Sequence, residues 1–208
     1  MSAQARRLFA QPFYRVMNPL LDYANDTLGT SPLETVRLDA TDPCELDEAS
    51  LVLDALWAHP ELVSSFVREN PAGLSEQDLE IARGWRHPVT DAFVFVDAEG
   101  DYATAMNAER LFVVESLVRR IGSQIRAIPS LAVLTLIPYR GQVVTDGRVI
   151  HLSDRPRPDA ASVISRLLSR TTLHGPITGA DELLAYAATH PASSKPERSW
   201  LIGQAPLL

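Results

Sequence analysis

The chain has 208 residues but one cysteine, Cys44, and one lysine, Lys195. A single thiol excludes an internal disulfide and any zinc cage built from several cysteines. No run of about 18 apolar residues occurs, which excludes a helical membrane span. The first residues, "MSAQARRLFAQPFYRVM", include Arg6 and Arg7 but no apolar stretch long enough for a signal peptide. They read as an amphipathic helix. A cytoplasmic protein is the expectation.

Several catalytic signatures are missing as well. There is no GxSxG nucleophile elbow, no GxxxxGK phosphate loop and no GxGxxG dinucleotide turn. No cofactor is therefore expected. The five histidines, His59, His87, His151, His174 and His190, show neither HxH nor HExxH spacing. No metal site is expected from them. Cys44 lies in "TDPCELDE", where acidic neighbours suppress a thiolate. It reads as a small, partly buried side chain.

Hydrophobic residues make up 46% of the chain and charged residues 22%, so a folded core is within reach. The formal charge of −7 argues against a nucleic-acid partner. The charge is uneven, however. Between Glu34 and Glu61 eight acids face Arg37 alone, whereas Arg110 to Arg170 hold ten arginines against four acids. Arg119, Arg120, Arg126, Arg140 and Arg148 are candidates for one basic face, with Tyr139 as a stacking ring. The excess of arginine over lysine equally reflects GC-rich codon usage.

Hydrophobic periodicity divides the chain into three regions. Residues 1–88 are helical. Phe13, Val16, Met17, Leu20, Leu21 and Ala24 form one face, interrupted at Pro19 with Asn18 as a fresh cap, and Gly29 ends it. Further helices are expected on either side of Pro60 and after Ser75. Residues 89–155 switch to β-branched and aromatic runs: "AFVFVD", "YATAM", "RLFVVES" and "SLAVLTLI". Between the last two, "LVRRIGSQIRAI" reads as a short helix. In "IPYRGQVVTDGRVI", Gly141 turns the chain, and Asp146-Gly147 signals a two-residue type I′ hairpin. Arg140 and Asp146, as turn residues, are expected to face solvent. Residues 156–208 hold two helices and an apolar tail, "SWLIG". The fold class expected is α+β, helices on an antiparallel meander of five or six strands. The three regions are expected to form one compact domain, with the N-terminal helices covering Phe93, Phe95, Phe112 and Val114.

Two stretches, "ENPAGLSEQDLEIARGW" and "LIPYRGQVVTDG", resemble anchors of a scattered group of prokaryotic proteins with no assigned reaction. In those, an "ENPxxLSEEDLEIVKSW" helix precedes a β-meander ending in an "LLPFKGKIIYDG"-like hairpin. The resemblance runs from about Phe66 to Ile150 and implies a fold, not catalytic residues. Beyond Ile150 the chain departs from it, with "HLSDRPRPDA" in place of a glycine-rich segment.

The functional expectation is a non-enzymatic interaction or accessory protein. Its partner is another protein or a second copy, met through the tail residues Trp200, Leu201 and Ile202. The alternatives are a nucleic-acid-associated protein using the arginine face, or a hydrolase with a dispersed site. For the last, the candidates are Glu115, Asp146 and His151, with Arg140 beside them.

Overall fold

The computed structural model describes residues 2–117, 120–125, 127–152 and 159–190. Among them no helix is long and apolar enough to cross a membrane. The fold is α+β: helices precede a six-stranded sheet and helices follow it. The chain divides into two compact units, Met1–Pro88 and Val89–Leu208.

The first unit holds α1 (Ala3–Leu28), α2 (Pro43–Ala58), α3 (Glu61–Glu69) and α4 (Glu76–Gly84). Helix α1 does not break at Pro19; Pro12 and Pro19 both lie inside it. Asn18 is not a cap because its side chain serves elsewhere: its Oδ1 accepts from Leu38 N at 3.0 Å and its Nδ2 donates to Asp39. Asp22 and Asn25 continue this polar stripe at helical spacing. Asp22 accepts from Val36 N at 2.7 Å, and Asn25 accepts from Ser31 N at 2.7 Å. The loop after α1 is thus held by the helix's own side chains. The opposite stripe, Phe13, Val16, Met17, Leu20, Leu21 and Ala24, is fully buried. Each large apolar side chain so buried stabilises by about 1.5–3 kcal/mol. Phe13 packs on Trp85, ring centroids 5.2 Å apart. Gly29 ends α1 in the left-handed conformation with its N–H bonded to Asn25 O. Ser75 caps α4 through Asp78 N, and Asp78 takes a bidentate ion pair from Arg15. That guanidinium holds the Asp78 carboxyl below its ordinary range.

The second unit holds β1 (Val89–Glu99), β2 (Tyr102–Met106), β3 (Leu111–Glu115), α5 (Ile121–Gln124), β4 (Ser130–Tyr139), β5 (Gln142–Thr145), β6 (Ile150–His151), α6 (Ala160–Thr171), a 3₁₀ turn at Thr172–His174, and α7 (Ala180–Thr189). The expected helix around Ile121 spans four residues among those described. The sheet is mixed: every pairing is antiparallel except β3 with β5, which meet in parallel at Glu115 and Val144. Because β1 pairs both β2 and β4, the strands form a ring: β1, β2, β3, β5, β4 and back to β1. A register shift between Phe95 and Asp97 lets β1 bend from one partner to the other.

The type I′ turn lies six residues earlier than expected. Tyr139 pairs Gln142, and the two turn residues, Arg140 and Gly141, have φ of 49° and 81°. Asp146-Gly147 closes no hairpin. It is a bend along one side of β4, after which β6 pairs the same strand as β5 did. Only one of the two positions there, Gly147, has positive φ. The turn Asp146 makes serves its own side chain instead: Asp146 accepts from Arg148 N two residues on.

One face of the ring is a single cluster: Phe93, Phe95, Ala105, Phe112, Val114, Leu134, Leu136 and Val143. Its cover comes from within the second unit, from Ile177 and from Leu183, Tyr186 and Ala187 of α7. Phe112 stands edge-on to both Phe93 and Tyr186, at 5.4 and 5.3 Å. Ala92, Val94, Ile137 and Val144, on the other face of the same strands, are buried too. Burial on both faces is why these strands read as continuous apolar runs rather than as an alternation.

At Gly141 an added Cβ meets nothing within 4 Å, so its substitution tests backbone strain alone. Gly141→Ala is expected to destabilise the second unit by about 1 kcal/mol through the left-handed penalty. Arg140→Asn, at a left-handed position where asparagine is better tolerated, is expected to be neutral or stabilising. Urea denaturation of the two variants checks the opposite signs.

Candidate functional site

The candidate residues of the hydrolase reading lie in separate settings. Asp146 is not at the surface; it is 1% exposed. Its carboxylate accepts from Arg148 Nη2 at 2.7 Å, from Arg148 Nε at 3.2 Å and from Arg148 N at 3.1 Å. Its own N–H donates to Thr135 O. Arg148, with a side chain 12% exposed, is drawn into the fold by this pair. Glu115 is buried on β3 opposite Tyr102, and burial pushes its carboxyl up from the ordinary range. His151 is exposed on β6 opposite Ala132, with Nε2 2.9 Å from Gln124 O. Arg140 is exposed in the hairpin turn, its guanidinium 5.8 Å from the Tyr139 ring.

The arginine face fares differently residue by residue. Arg148 is paired inward, and Arg120 stands 3.5 Å from Asp101. Arg119 and Arg126 lie outside the described residues, as do Trp200, Leu201 and Ile202. Cys44, expected to be partly buried, is exposed at the start of α2, where Asp42 caps its N–H. Among the described residues no group of three or more His, Cys, Asp or Glu is arranged to hold a metal.

A different set of residues converges in the second unit. Glu109, Arg110, Arg170, Thr171, His174, Tyr186 and His190 line a cleft of about 320 Å³. They come from the β2–β3 turn, the end of α6, the 3₁₀ turn and α7. Asn107 organises the turn: its Oδ1 accepts from Glu109 N at 3.0 Å and from Arg110 N at 2.9 Å. Its Nδ2 donates to Tyr186 Oη at 3.0 Å and to Asp91. Tyr186 in turn donates to Glu109 Oε2 at 3.2 Å. The same carboxylate oxygen is 2.9 Å from His190 Nε2. The Tyr186 and His190 rings, four residues apart on α7, stack 4.0 Å apart and nearly parallel. Burial pushes the Tyr186 phenol up to about 12.

Arg110 differs from the other cleft groups. Its Nε is buried without a hydrogen-bond partner among the described residues. Glu182, whose charge Arg110 feels, spends its carboxylate on Thr178 N, Thr178 Oγ1 and Gly179 N. Those bonds are the main reason its pKa lies below the ordinary value, with Arg110 a lesser cause.

In sequence, Arg110 and Arg170 read as charge and His174 and His190 as scattered rings, with no spacing that joins the four. The four-residue spacing of Tyr186 and His190 was the available signal. The chain matches no family model, no curated protein and no solved structure.

Two expectations test these assignments. Asp146→Ala removes the bidentate carboxylate partner of a guanidinium whose side chain is 12% exposed and is expected to cost up to about 3–5 kcal/mol of stability. The double variant Asp146→Ala/Arg148→Ala is expected to cost less than the two single changes added together, in urea denaturation. The second concerns alkaline pH. Tyr186 ionises near 10 when unfolded and near 12 when folded. Above pH 10 the folded state therefore binds more protons than the unfolded one, and stability falls as pH rises from 10 to 12. Tyr186→Phe is expected to flatten that decline, read as melting temperature against pH.

Proposed function

We propose that the protein is a non-enzymatic interaction protein that self-associates. In this reading Trp200, Leu201 and Ile202 of one copy lie on the apolar stripe of α6 in another. The observation that supports it most is the state of that stripe. Val163, Ile164, Leu167 and Leu168 recur at helical spacing, yet none is buried; all are half-exposed. Leu173, just beyond the helix, is 82% exposed. An amphipathic helix gains most of its stability from covering such a face, and an exposed apolar patch marks an interaction surface.

The apolar tail fits this face in chemistry; its reach suffices to cover α6 of its own copy, and exchange between two copies would use the same contact. His190 lines the same cleft as Arg170 and His174, at the C-terminal end of α6. Trp200 lies ten positions beyond His190, an extended reach of up to about 33 Å. Helix α6, with 12 residues, is about 18 Å long. Pro191 and Pro196 disfavour a helical return of the chain between them. A tryptophan flanked by two aliphatic residues is also a composition favoured at the centre of an interface.

Sedimentation velocity on the full chain and on a chain ending at His190 tests the proposal. The full chain is expected to dimerise in the micromolar range and the shortened one to remain a monomer. Leu167→Glu in the full chain is expected to abolish the dimer as well. A monomeric full chain at 100 µM, or an equal dimer in both, overturns the reading.

A further inference from the structure

We infer that the cleft between the β2–β3 turn, the end of α6 and α7 binds a small ligand through a phosphate group. The inference is independent of self-association and rests on charge, burial and preorganisation at one place.

Two guanidinium groups, Arg110 and Arg170, line the cleft against one carboxylate, Glu109. Among the described residues neither arginine stands within ion-pair distance of an acid. Glu109 does not cancel them. One of its oxygens is already shared by Tyr186 Oη at 3.2 Å and His190 Nε2 at 2.9 Å. His174 adds a further ring edge able to donate, whereas both ring nitrogens of His190 are spent on Glu109 and Tyr186 O. The lining itself carries two guanidinium groups against one carboxylate, with Asp91 and Glu182 close behind it, while the chain as a whole is anionic, at −7. A cationic lining in an acidic protein is a local arrangement, since the long-range field of such a chain repels anions.

Arg110 is held ready for such a ligand. The backbone N–H of Arg110 is fixed by Asn107 Oδ1, and Asn107 N donates back to Arg110 O at 3.2 Å. Its buried Nε lacks a partner among the described residues. A buried donor left unbonded costs about 1–3 kcal/mol; this Nε is closed to solvent, so a ligand would meet the terminal guanidinium nitrogens instead. Guanidinium presents its donors in a planar fork that matches phosphate oxygens, and such charge-assisted bonds are the strong ones. Two arginines against one tied carboxylate suit a dianion better than a monoanion. The volume, about 320 Å³, lies at the small end of ligand pockets. It suits a phosphorylated metabolite of modest size rather than a nucleic-acid strand.

Titration calorimetry of the full chain with inorganic phosphate, at ionic strength held constant with sodium chloride, tests the assignment. Acetate serves as the carboxylate arm. Phosphate is expected to bind one to one in the millimolar range, and acetate at least tenfold more weakly. Arg110→Gln and Arg170→Gln are each expected to weaken phosphate at least tenfold. Arg170 is exposed on α6, so its replacement leaves the fold intact even if Arg110→Gln does not. Arg166→Gln, on the same helix but outside the cleft, is expected to bind as the parent does. Absence of phosphate binding, acetate binding as tight as phosphate, or unchanged binding in Arg170→Gln overturns the proposal.

Discussion

The second unit depends on how its ring of strands closes. Five strands pair generously around most of the circuit, but β3 and β5 meet through one parallel residue pair, Glu115 with Val144. The segment leading into α7 reinforces that seam. Ile177 exchanges backbone bonds with β3: its N–H donates to Leu111 O and its carbonyl accepts from Val113 N, both at 2.8 Å. Two residues on, Gly179 bridges Gln142, and Ala180 N donates to Gly141 O. Residues far along the chain thus complete a joint that the meander alone leaves thin. The same segment delivers Leu183 and Tyr186 onto the apolar face of the ring.

This seam also places the cleft. Once Ile177 is fixed to β3, α7 follows with Tyr186 against Phe112 and the β2–β3 turn beside it. Asn107 then links turn and helix by bonding both Tyr186 and the Glu109 and Arg110 amides. The position of Arg110 is therefore set by backbone contacts. In the cleft the side chains of the β2–β3 turn meet others that lie about 60 to 80 residues further along the chain.

Local patterns were legible in the sequence; pairings and convergences were not. Ser75, Gly29 and Pro60 marked helix boundaries because each acts through its own backbone or side chain. The strands from Tyr102 to Glu115 announced themselves by β-branched and aromatic content. Pro19 misled, since its disruption of α1 is local while the buried stripe and the Asn18, Asp22 and Asn25 contacts hold the helix along its length. Asp146-Gly147 misled in the other direction. The dipeptide is a good hairpin former, but Arg148 two residues later offered the aspartate a charged partner and drew it inward. Of the cleft, single residues were visible as charges and rings. Their meeting depends on the Ile177 seam, which has no strand-like run to betray it.

The polar stripe on α1 has a bearing on how the first unit comes apart. Residues 31–38 make their backbone bonds largely to Asn18, Asp22 and Asn25 rather than to one another. The composition of that loop suggests an easy target for a protease. Its exposure to cleavage is nonetheless governed by fraying of the neighbouring helix, so loop and helix open as one cooperative element.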